Sequence, residues 1–212
     1  MDVVVLVSGR GSNLRAICSA IDAGTCHANI VGVVSDRKKA AALEFAEGRG
    51  IPTRVVSLRK GDDRNAWNDS LTAEVASLEP DLVVLAGFMR VLGAPLLERF
   101  PGRIINVHPA LLPSFPGHSG PQDALDGGVR VSGCTVHIVD TGVDTGPILA
   151  QAAVPVLADD TVDTLHSRIQ VQEHRLLPLV IHQIAIGAIT LDPLTMSTPV
   201  ADPTLSLSVP DI

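Results

Sequence analysis

Short aliphatic runs alternate with helical patterns through the first 108 residues, and this alternation constrains the fold more than any other feature. The runs at 3–7, 30–34, 53–56, 82–86 and 104–108 have the composition of buried strands. Segments with helical spacing separate them, at 14–21, 40–47, 64–78 and 94–100. This order predicts an α/β fold with a doubly wound, mostly parallel sheet.

The pattern changes after residue 109. A proline-rich stretch covers 109–117, and the runs at 134–139 and 148–156 are predicted to be further, antiparallel strands. Residues 162–186 have the spacing of a long amphipathic helix, with a kink expected at Pro178. The stretch 191–212 contains four prolines and little periodicity. We expect one domain over 1–190 and a loosely ordered tail.

Composition narrows the class of protein. Hydrophobic residues make up 46% of the chain and aromatic residues 2%, so the core must be aliphatic. The net charge of −7 argues against nucleic-acid partners. No apolar stretch reaches the roughly 18 residues of a membrane span, and no signal peptide is recognisable. Three cysteines without metal spacing and seven histidines without an HExxH pattern predict a cytoplasmic protein with no metal site.

A glycine-rich loop, Ser8-Gly9-Arg10-Gly11-Ser12-Asn13, joins the first strand to the first helix. Its glycines allow a tight turn, and the amides at the helix start favour a phosphate, with Ser12 or Asn13 expected to cap the helix. No Gly-Lys-Ser/Thr follows, so it is not a Walker A loop, and Leu14 occupies the third glycine position of a dinucleotide fingerprint. Asp36, after the second strand, keeps nicotinamide-cofactor binding open as an alternative, beside an ordinary glycine turn.

Asn106 and His108 lie two apart in the fifth run, so they share one face of that strand. Pro109 ends the strand, which places both side chains at the edge of the sheet where ligands bind in α/β folds. An amide donor beside a titratable ring can stabilise an oxyanion and move a proton. A purely structural pair is the alternative.

Two carboxylate sites complete the chemistry. Asp140 and Asp144 belong to the glycine-rich loop 140–146, where Asp144 can orient an imidazole and favour its protonated form, or serve the loop backbone as an Asx turn. Glu173 falls within the apolar stripe of the long helix, so it must be paired with a cation or meet hydroxyl groups in a cleft. The apolar residues at 88–92, with one cation, could line a slot for a flat ring, or simply pack in the core.

These motifs together resemble the folate-dependent phosphoribosylglycinamide formyltransferases, from residue 3 to about 189. The resemblance is carried by the blocks 11–13, 86–90, 106–113, 140–146 and 170–173. It implies that Gly11, Ser12 and Asn13 bind the phosphate of 5′-phosphoribosylglycinamide, and that Gln170 and Glu173 bind its ribose. It implies a catalytic trio of Asn106, His108 and Asp144. The residues that it assigns to 10-formyltetrahydrofolate, the co-substrate, are Arg64, Met89, Arg90, Val91, Leu92, Asn106, Asp140, Thr141, Gly142, Val143 and Asp144.

The implied activity is formyl transfer in purine synthesis by a monomer or homodimer, with a phosphate-binding half at 1–100 and a catalytic and folate-binding half at 101–190. The chain departs from the family pattern at Ser119, where an auxiliary histidine is frequent, and His118 could replace it if the loop shifts by one residue. The alternatives are another formyl-folate enzyme, such as methionyl-tRNA formyltransferase or a deformylase, and a non-catalytic NAD(P)- or nucleotide-binding module.

Overall fold

A computed structural model describes residues 1–191, which form one seven-stranded sheet with helices on both faces. The strands are β1 (Asp2–Val7), β2 (Asn29–Ser35), β3 (Thr53–Val55), β4 (Leu82–Leu85), β5 (Ile104–His108), β6 (Val131–Ile138) and β7 (Ile148–Pro155). The helices are α1 (Ser12–Asp22), α2 (Ala41–Gly48), α3 (Arg64–Ala76), α4 (Ala94–Arg99), α5 (Gly120–Asp126) and α6 (Val162–Ala185).

The strand order is β3-β2-β1-β4-β5-β6-β7. The first five strands in this order are parallel to one another, β6 is antiparallel to β5, and β7 is antiparallel to β6. This confirms the predicted α/β fold. Alternate residues of the central strands point to opposite faces, so Val3 and Val5 enter one buried cluster, with Ile169 of α6, and Val4 and Leu6 enter the other. Most of the buried hydrophobic residues are aliphatic, and Trp67, Phe88 and Phe100 are aromatic members of the second cluster.

The strand order places the candidate site. Strands β1, β4 and β5 are neighbours and run in the same direction, so their carboxyl ends meet at one edge of the sheet. The glycine-rich loop leaves β1 there, the 88–92 segment leaves β4, and Asn106 and His108 lie at the end of β5. Strand β6 pairs with β5 on the other side, with His137 opposite Asn106.

The structure differs from the sequence-based expectations in three places. Helix α5 is not among the predicted elements. Its Pro121 lies in the first turn, where a missing N–H costs little. Strand β6 begins at Val131, three residues before the predicted start. The residue that caps α1 is Gly11, so the expected cap at Ser12 or Asn13 was wrong. The other predicted ends agree to within about two residues.

Helix α6 continues as one element of 24 residues through Pro178, and the predicted tail lies outside the described residues. Among residues 1–191, no helix has the length and apolar character that crossing a bilayer would require.

Candidate active site

A cleft of about 530 Å³ lies at the carboxyl edge of the parallel strands. That volume is in the range of small-molecule sites. The resemblance assigns a site role to seventeen residues, of which fifteen line the cleft: Gly11, Ser12, Asn13, Met89, Arg90, Val91, Leu92, Asn106, His108, Asp140, Gly142, Val143, Asp144, Gln170 and Glu173. Arg64 and Thr141 do not line it.

At its inner end the cleft meets the start of α1. Gly11 caps that helix with φ of +74°, and a Cβ built on it would lie 2.6 Å from the Cβ of Ala42. Only glycine fits both the left-handed backbone and this close approach. In the described structure no side chain caps α1. The helix start can therefore offer its backbone amides to an anion.

Asn13 lies within the first turn of α1, after the capping residue Gly11, and its side chain bonds to another element. Its Nδ2 donates a hydrogen bond of 3.1 Å to Oε2 of Glu173, which lies on α6 and is 4% exposed. Burial raises the pKa of Glu173, and the bond from Asn13 opposes that rise. The stripe on α6 thus places a carboxylate at the wall of the cleft beside the glycine-rich loop.

Asp144 is the centre of a polar cluster in the middle of the cleft. Its Oδ2 accepts a hydrogen bond of 2.8 Å from the Gly117 amide and lies 3.3 Å from Nδ1 of His108. Its Oδ1 lies 3.5 Å from Nδ2 of Asn106 and 3.5 Å from Nε2 of His137. Burial acts to raise the pKa of Asp144, but the contacts with His137, Gly117 and His108 outweigh it, so its pKa is lowered. Asp144 is therefore a carboxylate at neutral pH.

His108 has an acceptor at each ring nitrogen. Its Nε2 donates to the carbonyl oxygen of Phe115 at 2.8 Å, and its Nδ1 faces Asp144. A carbonyl and a carboxylate can only accept, so each ring nitrogen of His108 faces an acceptor in the wall of the cleft.

His137 lies beside Asn106 and Asp144 on the neighbouring strand. Its Nδ1 donates to the Ile138 carbonyl oxygen at 2.9 Å. Its Nε2 lies 3.2 Å from Nδ2 of Asn106 and 3.5 Å from Oδ1 of Asp144. Because a carboxylate can only accept, the nitrogen of the Asn106 amide, rather than its oxygen, points toward Asp144. Sequence reasoning did not single out His137 as a site residue, because its position opposite Asn106 depends on a strand register that local sequence does not reveal.

The sequence left two roles open for a carboxylate of the 140–146 loop, namely bonding to the loop itself and facing an imidazole. Asp140 and Asp144 each have one of these roles. Asp140 accepts bonds from the Gly142 amide at 3.0 Å and from Oγ1 of Thr145 at 2.7 Å, so it holds the turn together. Asp144 instead faces the histidines. In the preceding loop, His118 lines the cleft, whereas Ser119 is the residue before α5 and does not line it.

At the outer end, the 88–92 segment presents apolar side chains. Met89 and Val91 are more than half exposed, whereas Phe88 and Leu92 are buried. Arg64 reaches this segment from α3, where its Nη2 donates to the Val91 carbonyl oxygen.

Asp36 bears on the nicotinamide alternative. Its Oδ1 accepts from Oγ of Ser8 at 2.6 Å, its Oδ2 pairs with Nε of Arg90 at 2.8 Å, and its side chain is fully buried. A carboxylate engaged in this way does not offer an oxygen to a ribose hydroxyl, which the nicotinamide alternative requires.

A family model described as formyl transferase matches residues 1–181. The chain belongs to the formyl transferase family. It is 51% identical over 189 residues to the phosphoribosylglycinamide formyltransferase of Mycobacterium tuberculosis, covering 89% of this chain and 87% of that protein. It is 40% identical over 191 residues to the Escherichia coli protein of the same name, covering 90% of each. Its structure resembles that of glycinamide ribonucleotide transformylase 1 from Symbiobacterium toebii, with a TM-score of 0.87, 43% identity and 91% of each chain covered.

Membership of this family agrees with the resemblance drawn from the motifs. Within residues 1–191 of this formyltransferase, no group of three or more His, Cys, Asp and Glu side chains has an arrangement that could hold a metal ion.

Proposed function

We propose that the chain transfers the formyl group of 10-formyltetrahydrofolate to the amine of 5′-phosphoribosylglycinamide, in the cytoplasm. The observation that carries the proposal is a single cleft that joins the start of α1 to the cluster of Asn106, His108 and Asp144. An anion site for the phosphate and a donor cluster for the reaction are thus within reach of one small molecule.

The proposed binding mode follows the two ends of the cleft. The phosphate is held by the amides of Gly11, Ser12 and Asn13, and the ribose hydroxyls bond to Glu173 and Gln170. The folate enters at the outer end, where the apolar side chains at 89–92 and the 140–144 loop cover its ring. Arg64, which bonds to the Val91 carbonyl beside the cleft, contacts the charged tail of the folate in this binding mode.

The proposed reaction begins when the amine nitrogen bonds to the formyl carbon and the carbonyl oxygen gains negative charge. Nδ2 of Asn106 and the imidazolium of His108 stabilise that oxyanion. The bond from carbon to N10 of the folate then breaks, the carbonyl re-forms, and the proton lost by the amine ends on N10. Asp144 stabilises the positive ring throughout. For Nε2 of His108 to reach the substrate, its bond to the Phe115 carbonyl must be released.

The decisive experiment is an assay of the purified chain with both substrates. Turnover is followed at the folate absorbance, and the formylated product is identified by mass spectrometry. We expect turnover only with both substrates present, and a much higher KM for the riboside that lacks the phosphate. A chain that forms no product, or that releases formate from the folate without the amine, would contradict the proposal, and the second result would indicate a deformylase.

A further inference from the structure

We propose that Ser8, Asp36 and Arg90 form a positioning chain that holds residues 89–91 in the conformation that receives the folate. None of the three is a catalytic residue in this scheme. The inference rests on the folate-binding role proposed above, and it adds a polar connection between the ends of three adjacent strands, β2, β1 and β4.

Ser8 is the junction of the chain. It follows β1, is 3% exposed, and begins the glycine-rich loop. Its hydroxyl donates to Oδ1 of Asp36 at 2.6 Å and accepts from the Met89 amide at 2.9 Å. A second bond, from the Ser8 amide to the Gly87 carbonyl at 3.1 Å, ties the same two segments together. The Ser8 side chain therefore joins Asp36, after β2, to the backbone at the outer end of the cleft.

Asp36 carries the charge of the chain. Its fully buried carboxylate pairs through Oδ2 with Nε of Arg90, and Nη2 of Arg90 also donates to the Leu58 carbonyl at 3.3 Å. The other nearby cation, Nε of Arg37, is 4.0 Å away on a side chain that is mostly exposed. A buried carboxylate needs a close partner to offset its desolvation, so Asp36 holds the Arg90 side chain in place.

Residues 89–91 depend on such bonds because apolar packing does not hold them. Phe88 and Leu92 are buried on either side, but the side chains of Met89 and Val91 are open to solvent. The polar anchors between them are the Met89 amide on Ser8, the Arg90 side chain on Asp36 and Leu58, and the Val91 carbonyl on Arg64. Two of the three anchored residues thus connect to Asp36, directly or through Ser8.

The test is Asp36→Asn, which keeps the shape of the side chain and removes its charge. We expect KM for the folate to rise roughly tenfold, because loss of the Asp36–Arg90 pair disturbs residues 89–91, and a tenfold change corresponds to about 1.4 kcal/mol. KM for the ribonucleotide should stay within about twofold, because residues 89–91 are not part of its proposed site. Trp67 provides a second readout. It is the only tryptophan, and its ring stacks on Phe88 with centroids 6.5 Å apart. Its emission should change in the variant without any ligand.

Asp160→Asn is the matched control. Asp160 and Arg168 form another pair of a buried carboxylate with a partly exposed arginine, with side-chain exposures of 2% and 27% against 0% and 33% for Asp36 and Arg90. Neither residue lines the cleft. Both variants should lower the melting temperature, because each leaves an arginine without its carboxylate. Only Asp36→Asn should raise KM for the folate.

Ser8→Ala is the second variant, and it serves if Asp36→Asn fails to fold. It leaves the Asp36–Arg90 pair intact, and it should raise KM for the folate in the same way. The double variant should be no worse than the more affected single one, because both act on one chain. Equal rises in KM for both substrates, an unchanged KM for the folate, or the same loss in Asp160→Asn would overturn the proposal. Unchanged emission of Trp67 in Asp36→Asn would also overturn it, and this readout needs no ligand. If instead the wild-type chain bound no folate, that result would refute the proposed function.

Discussion

The two ends of the cleft are built in opposite ways. At the inner end, Asn13 and Glu173 are 7% and 4% exposed and are bonded to each other beside a helix start. At the outer end, Met89, Val91 and Val143 are 54%, 61% and 50% exposed. At the inner end these two side chains are thus already bonded to each other, although α1 has no side-chain cap and Oδ1 of Asn13 has no partner among the described residues. The outer end instead has apolar surface that a ligand would cover.

This difference suggests how the two substrates are recognised. In the proposed binding mode, the amides and the carboxylate at the inner end select a small phosphorylated molecule by hydrogen bonds, which are costly to leave unmade. At the outer end, covering apolar side chains with a ligand is favourable because it removes them from water. This hydrophobic contribution is less selective than hydrogen bonding, because it has no preferred direction. The proposed catalytic cluster of Asn106, His108 and Asp144 is assigned to the reaction rather than to either end, so substitutions there should affect neither affinity strongly.

The largest expected effect is therefore at the centre. Asn106→Ala removes the amide that faces Asp144, and kcat should fall by about 10²- to 10³-fold, the usual effect of losing one oxyanion donor. KM for each substrate should stay within a few-fold. Steady-state kinetics with each substrate varied in turn would show this. A variant with near-normal kcat and a large rise in one KM would place Asn106 in a binding role instead.

The second effect tests the inner end. Gly11→Ala would force a side chain against Ala42 and a left-handed backbone at the helix start, so the amides must move. KM for the ribonucleotide should rise by roughly tenfold or more, because a small displacement of the amides at the start of α1 weakens their hydrogen bonds to the phosphate. KM for the folate should change little.

Gly24→Ala is its matched control. Gly24 has φ of +71°, nearly the same as Gly11, but a Cβ there would have no neighbour within 4 Å. Both variants lose stability from the strained backbone, by about 1 kcal/mol. If Gly24→Ala raised KM for the ribonucleotide as much as Gly11→Ala, the crowding at Ala42 would not be the cause.

The third effect tests the carboxylate at the inner end. Glu173→Gln keeps its size but weakens its bonds to ribose hydroxyls, so KM for the ribonucleotide should rise by about tenfold, as for one charge-assisted bond. The variant should also change the dependence of stability on pH. Because the pKa of Glu173 is raised, the folded protein holds its proton above the ordinary value of 4.5.

The sign of that dependence follows from proton binding. Above pH 4.5 the unfolded chain has lost this proton while the folded chain retains it, so the free energy of unfolding decreases as pH rises through the folded pKa. Glu173→Gln has no such proton. Its free energy of unfolding, measured by urea titration from pH 4 to 8, should rise relative to that of the wild type. A difference that is constant with pH would show that Glu173 titrates normally.

Much of this site was predictable from local sequence. The shared face of Asn106 and His108 follows from the two-residue period of a strand, and Pro109 marks where that strand ends. The glycine-rich loop lies between a strand and a helix, so its place at the sheet edge follows from the fold. These predictions needed only short-range spacing and the general rule for parallel sheets.

The parts that were missed depend on contacts far apart in sequence. The side chain of Asn13 bonds to Glu173, 160 residues away. His137 reaches Asn106 because β5 and β6 pair in one register rather than another. Asp36 was considered as a cofactor ligand, and its partner Arg90 lies 54 residues further along the chain. A local pattern contains no information about which of these partners will meet.

The smallest expected effect is at the outer end. Met89→Ala removes an apolar side chain that the folate would cover only in part, so it should raise KM for the folate about three- to fivefold, less than the full burial of a methionine would give. KM for the ribonucleotide should not change. Leu157→Ala is the control, because Leu157 is similarly exposed at 49% but lies outside the cleft, and it should affect neither KM.

The size of the Met89→Ala effect decides whether the two ends really differ. An outer end that only covers a ring should lose affinity in proportion to the apolar area removed, and Val143→Ala should add to Met89→Ala, because separate patches of such surface are independent. A loss from Met89→Ala as large as that from Gly11→Ala would mean that the outer end, like the inner one, is a fixed site. In that case the bond from the Met89 amide to the Ser8 hydroxyl would contribute more to folate binding than the exposed side chain of Met89.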